Sequence, residues 1–146
     1  MKYLLSSLML LIVFGTEYIW ASQLTTLKVV ERKISVNGKE AQVFALTQPD
    51  GTLGITAKKG EDFNVKLINT LKIPTSIHWH GIILPNDQDG VAFITQYPIY
   101  PGIEYHYHFP LLQSGTFFMH SHYGLQEQRL LSAPLILKKD RSRSLR

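Results

Sequence analysis

Beyond residue 21, short stretches rich in Val, Ile, Thr, Phe and Tyr alternate with turn residues, and within some of them apolar and polar positions alternate with a period of two. In "FNVKLINTL", Phe63, Val65 and Leu67 alternate with Asn64, Lys66 and Ile68. At least the first part of that segment therefore turns one apolar face to a core, as a strand does. "IEYHYHF" repeats the pattern, with Tyr105, Tyr107 and Phe109 on one face. "LKVVERKISV" and "EAQVFAL" flank "NGK", where Asn-Gly supplies the positive φ angles of a tight hairpin turn. "TSIHWH", "GTFFMHSH" and "APLIL" complete the candidate strands, and "LPNDQDG", "YPIYPG" and "PLLQSG" separate them. One helical turn is expected, in "LQEQRLL" over 125–131. Short strands at this spacing predict an all-β sandwich or barrel. The 146 residues suffice for one domain with a proper core and not for two.

Both ends depart from this pattern. "MKYLLSSLMLLIVFGTEYIWAS" has Lys2, an apolar run from Leu4 to Phe14 and a small residue, Ala21, suited to a signal peptidase. Residues 1–21 are read as a signal peptide, although Ile19 and Glu17 fit the cleavage pattern imperfectly. An uncleaved anchor is the alternative, but the run falls short of the roughly 20 residues a membrane span needs. The expectation is export to the periplasm or medium, with no stable membrane insertion after signal cleavage. The net charge of +4 changes meaning once it is located. Residues 22–137 hold nine basic and nine acidic side chains, and the excess lies in "KKDRSRSLR". A basic tail, 139–146, is not a basic face, so no nucleic-acid partner is expected. With no cysteine, the chain has no disulfide, no thiolate ligand and no cysteine nucleophile.

The chemistry lies in the histidines. All six fall in pairs one residue apart: His78/His80, His106/His108 and His120/His122. On a strand, such a pair projects from one face with Cα atoms roughly 6.5 Å apart. That spacing is awkward for one ion but suits two neighbouring ions. Two such strands side by side would offer four imidazoles to a polynuclear site. Imidazole without thiolate or a carboxylate cluster favours copper or zinc, and the chemistry alone does not choose between them. The plain alternative is a wet sheet face. It is preferred for His106 and His108, which lie opposite the apolar face of Tyr105, Tyr107 and Phe109.

The order of segments is more specific. "GEDFNVKLINTLKIPTSIHWHGI", "DGVAFITQYPIYPG", "YHYHFPLLQSGTFFMHSHYGLQEQ" and "APLIL" together resemble the N-terminal domain of the multicopper oxidases, the laccase-like and bacterial copper-tolerance enzymes. The resemblance runs from about Gly60 to Leu137. It implies a Greek-key cupredoxin-like β-sandwich over 22–138, of plastocyanin-like type. It also implies copper as cofactor, in a trinuclear cluster that reduces dioxygen to water and is caged by histidine pairs of the first and last domains. Carried over by motif, His78 resembles the type 2 copper ligand. His80 with His120 resemble ligands of one type 3 copper, and His122 a ligand of the other. Asp89 resembles the carboxylate that orients water and passes protons near the cluster; its plain alternative is a turn aspartate before glycine. Gly81 is expected to let backbone pack behind the ligand strand, and Met119 and Trp79 are read as core.

The departures matter as much. The family's last domain brings further histidine motifs and the cysteine of the type 1 copper, through which electrons enter, and neither occurs here. The first expectation is therefore the N-terminal domain of a truncated multicopper oxidase, acting with a partner chain that carries the missing C-terminal cupredoxin domain. The Ser/Arg-rich tail is what a reading-frame interruption would produce. Homodimerisation would add histidines but no cysteine. The alternatives are a stand-alone copper-binding or buffering module without oxidase activity, and a non-functional remnant.

Overall fold

The computed structural model describes residues 23–139. The expected signal peptide and the basic tail beyond Lys139 lie outside the described residues. Two four-stranded sheets face each other. One has the order β2-β1-β4-β6 and the other β3-β8-β7-β5. Its strands are β1 (Thr25–Val36), β2 (Lys39–Thr47), β3 (Ile55–Lys58), β4 (Asp62–Asn69), β5 (Ile77–His80), β6 (Glu104–Pro110), β7 (Gly115–Ser121) and β8 (Ser132–Lys138). There is no α-helix among the described residues. The expected helical turn is a single 3-10 turn, Glu127–Arg129, ended by Leu130 at φ 65°. A second 3-10 turn, Asn86–Gln88, lies in what the sequence reads as plain connection.

The β1–β2 hairpin forms as expected. Val36 pairs with Lys39 across Asn37 and Gly38, both at positive φ. In β4, Phe63, Val65 and Leu67 are buried and the residues between them are not. β8 alternates in the same way, with Ala133, Leu135 and Leu137 inward. Two pairings were not anticipated: β1 lies parallel to β4, and β3, unrecognised in the sequence, lies parallel to β8. Gly54 makes the entry into β3 possible, because a Cβ there would stand 2.3 Å from the Pro134 carbonyl oxygen.

Trp79 lies at the centre of the core. Its ring meets Phe63 edge-on at 4.8 Å and Tyr107 edge-on at 4.9 Å, while Phe63 stacks on Phe109 at 4.7 Å. Met119, its cross-strand partner, is fully buried as well. Each such side chain contributes about 1.5–3 kcal/mol by leaving water. Both residues are therefore core, as expected. Trp79 and Met119 point inward from β5 and β7, so their neighbours in sequence point outward, and three of those four neighbours are histidines, His78, His80 and His120, the fourth being Phe118.

The segment "DGVAFITQYPIYPG" closes against the same end of the molecule. Asn69 is fully buried and donates to the carbonyls of Ile73 and Ile99, while its Oδ1 accepts from the Leu71 N–H. Thr75 and Ile99 exchange two backbone hydrogen bonds. Tyr107 donates its hydroxyl proton to Gln96 Oε1 at 2.9 Å, and burial keeps that phenol protonated well beyond its ordinary range.

Candidate metal centre

β5 and β7 run antiparallel, with His78 directly opposite His120 and His80 opposite Phe118. The period of two then brings His78, His80, His120 and His122 to the outer face of one strand pair. His122 follows the last residue of β7, and its N–H continues the ladder to the Ser76 carbonyl at 3.2 Å. The His78 ring stands 5.7 Å from that of His80, 5.5 Å from His120 and 4.6 Å from His122, with His120 and His122 4.9 Å apart. Ligand nitrogens of His78, His80 and His120 all lie within 4.8 Å of one another. Phe118 stacks on both His80 and His120, at 4.6 and 4.7 Å, and walls one side.

The hydrogen bonds select which nitrogen each ring offers. His78 Nδ1 lies 2.9 Å from the Asp89 carbonyl oxygen and 3.2 Å from its carboxylate. A carbonyl oxygen only accepts, so Nδ1 carries the proton and Nε2 keeps its lone pair for a metal. His120 Nδ1 meets two acceptors, the Ser121 carbonyl and the Glu127 carboxylate, each at 3.3 Å, so its Nε2 is free in the same sense. That Nε2 faces His80 Nδ1 at 3.3 Å. Two nitrogens each about 2.0–2.1 Å from one ion at a tetrahedral angle stand about 3.3 Å apart. The donor set thus fits an imidazole-bound copper or zinc ion, with a carboxylate behind two of the rings to orient them.

The electrostatics favour neutral rings. Desolvation holds the pKa of His120 below the ordinary imidazole range, partly opposed by the Glu127 carboxylate. His122 is lowered too, first by desolvation and then by the neighbouring His78 and His120. Neutral imidazole is the form that binds a metal.

His106 and His108 are exposed on the outer face of β6, in the other sheet. His106 Nε2 bonds Asn64 Oδ1, and the His108 N–H donates to Gln88 Oε1. The wet-face reading of this pair agrees with their place. Gly81 has the positive φ of a turn glycine, but a Cβ there would meet only the Phe117 ring at 3.2 Å, not backbone. The close approach behind the ligand strand belongs instead to Gly90, where a Cβ would stand 1.7 Å from the Ile77 carbonyl oxygen. That contact seats Asp89 against His78. Gly90, Gln126 and Glu127 were not singled out in the sequence. The signal for Glu127 was slight: an acid in the turn following the last histidine pair.

The fold and the site together define a cupredoxin-like β-sandwich with a cluster of histidines on one sheet face that could hold a metal ion. The family model described as multicopper oxidase matches residues 28–142, and the chain belongs to that family. Copper is the metal this family implies. Copper resistance protein A of Escherichia coli is 40% identical over 113 residues, covering 76% of this chain and 18% of that protein. The protein of the same name from Pseudomonas syringae pv. tomato is 36% identical over 126 residues, 85% of this chain and 19% of that protein. The chain therefore spans about a fifth of the length of these relatives. Among solved structures, a multi-copper oxidase from Pseudomonas thermotolerans superposes with a TM-score of 0.74 at 30% identity, covering 80% of this chain and 29% of that one. A laccase from Botrytis aclada gives 0.72 at 35% identity, with 80% and 22% covered.

Proposed function

We propose that this domain supplies half of the histidine ligands of a trinuclear copper cluster for dioxygen reduction, the remainder coming from a C-terminal cupredoxin domain on another polypeptide segment. The observation that carries this reading is the 3.3 Å approach of His80 Nδ1 to His120 Nε2 from two different strands, flanked by His78 and His122. In this reading His80 and His120 share one type 3 copper, His122 serves the other and His78 serves the type 2 copper. Bound copper would relay to dioxygen four electrons drawn from a reducing substrate through a type 1 site outside these residues, and with four protons the product would be two waters.

This chain's own part is to hold and orient. His80 Nδ1 and His120 Nε2, now in contact with each other, would both have to offer lone pairs to hold copper, and a neutral His80 would then carry its proton on Nε2. Asp89 fixes the tautomer of His78 and, with its carboxylate partly exposed, stands where it can take up and release protons. The 146 residues contain no cysteine, so a thiolate copper site for electron entry must come from outside them. His80 and His122 are exposed, and Phe93 and Leu125 expose most of their surface. An incomplete site bordered by apolar side chains suits a docked partner domain. The domain boundaries 22–138 and export to the periplasm or medium after loss of residues 1–21 belong to the same reading. No helix among the described residues is long and apolar enough to cross a membrane.

A second reading is favoured by the three nitrogens that this chain gathers unaided within 4.8 Å: a stand-alone module that holds copper without redox turnover. Copper(II) titration of the purified protein, with dioxygen consumption followed alongside, separates the two. Both readings expect copper binding at neutral pH that is lost in His80→Ala and His120→Ala. Only the first expects dioxygen uptake to appear when a domain bearing the remaining ligands is added. Wild-type binding in both variants would refute both.

A further inference from the structure

No side-chain hydrogen bond joins Gln126 to any of the four imidazoles, yet it is only 4% exposed and both ends of its carboxamide are hydrogen-bonded. Its Oε1 accepts hydrogen bonds from the Thr75 hydroxyl at 2.7 Å and the Ser121 hydroxyl at 2.8 Å, and its Nε2 donates to the Pro74 carbonyl at 2.7 Å. Pro74 and Thr75 lead into β5, whereas Ser121 stands between His120 and His122. One side chain therefore joins the two segments that carry the histidine pairs.

The ladder alone does not secure this arrangement. β5 is a four-residue edge strand whose one partner in its sheet, among the described residues, is β7. Their pairing runs from Ile77–Ser121 to His80–Phe118, and beyond it a single backbone bond, from the His122 N–H to the Ser76 carbonyl at 3.2 Å, ties His122 to the entry of β5 without fixing its ring. Both flanks of His122 lead back to Gln126. The Ser121 hydroxyl, while donating to Gln126, accepts the Tyr123 N–H at 3.0 Å and turns the chain out of the strand just after His122. The next residue, Glu127, reaches His120, so the same buried group also anchors the turn that orients that ring.

We propose that Gln126 is a positioning residue that holds His122 against His78 and so sets the spacing between the two histidine pairs. Asparagine is one methylene too short to reach all three partners. Methionine fills a similar volume and makes none of the bonds.

The test compares wild type, Gln126→Met and His122→Ala. In metal-free protein at neutral pH, the nuclear Overhauser effect between the His78 and His122 rings should be lost in Gln126→Met. The ring shifts of His122 should move, and those of His106 should not. In copper(II) titration, Gln126→Met should weaken at least tenfold the binding component that His122→Ala removes, and should spare the component that His80→Ala removes. This second arm rests on the reading of His122 as a ligand. If wild type binds no copper, that reading fails and the metal-free measurement still decides the clamp. Where Gln126→Met does not fold, Thr75→Val deletes one arm at constant shape and Thr75→Ser restores the hydroxyl. The contact should be lost in the first and kept in the second. A folded Gln126→Met or Thr75→Val with the wild-type His78–His122 contact would overturn the proposal.

Discussion

At the scale of single residues, the site depends on backbone approach and on the charge state of two rings. Gly38 and Gly90 share φ +77°, but a Cβ at Gly38 would meet nothing within 4 Å, while at Gly90 it would be driven into the Ile77 carbonyl. Gly38→Ala should then cost only the left-handed penalty of roughly 1–2 kcal/mol. Gly90→Ala should cost about 2–4 kcal/mol and pull Asp89 away from His78, read as urea midpoints and as a shifted His78 ring resonance. Equal costs would show that the loop yields to the added methyl. The rings make a separate expectation about pH. His120 and His122 are lowered in the folded protein, whereas unfolded histidine titrates near about 6.5. Above that value neither state holds the extra proton, and the stability tied to neutral rings is fully present. As pH falls through it, the unfolded chain binds protons that the folded chain resists, and stability falls until the folded-state values are passed. Metal-free protein should therefore unfold at lower urea at pH 5 than at pH 7.5, and His122→Ala should flatten part of that slope. An unchanged slope would place the pH dependence elsewhere.

At the scale of elements, β5 is the short part of the design: four residues at a sheet edge, with the candidate ligands His78 and His80 at its second and fourth positions. Gln126 secures its entry, and Gln113 secures its exit. Gln113 Oε1 accepts the Ile83 N–H at 2.5 Å and its Nε2 donates to the Gly81 carbonyl at 2.9 Å. Gln113→Ala should lower stability by about 1–2 kcal/mol for two partly exposed hydrogen bonds, and should speed amide exchange at Ile83. Protection at wild-type level would mean the turn holds by itself. This contrast also explains what was legible in advance. The Asn37-Gly38 turn is a dipeptide signal, and the alternation in β4 and the histidine pairs are patterns of period two; all are local, and local patterns are what turns and strands impose on their own sequence. β3 escaped because four residues, Ile55–Lys58, are too few to establish a period, and its partner β8 lies some 80 positions away. Gly81 was credited with a close approach that Gly90 makes, because sequence records a glycine but not which backbone passes behind it. Gln126 and Gln113 were invisible, and Glu127 was only faintly marked, for a related reason: their partners are 5 to 52 positions distant, and no spacing announces them.

At the scale of the whole molecule, the question is whether a preformed but open site is enough to bind copper. The four rings are held by a core around Trp79 and by two glutamine clamps, so little ordering remains to oppose a metal. Any ion that binds the folded state and not the unfolded one raises stability by mass action, about 2.7 kcal/mol at a hundredfold excess over Kd. For a domain of this size, that corresponds to a rise in Tm of roughly 8–15 °C. Copper(II) at pH 7.5 should produce such a rise. The rise should shrink as pH falls, since protons compete for the same lone pairs. His80→Ala and His120→Ala should each remove more than half of it, because their facing nitrogens stand 3.3 Å apart, a spacing that one ion can bridge. His106→Ala should leave it intact, since that ring lies on the other sheet, bonded to Asn64. If copper raised Tm equally in all three variants, the metal would be binding somewhere other than the β5–β7 face. If it raised Tm in none, including wild type, half a cage would be too weak to hold copper, and binding would have to wait for the domain that closes it.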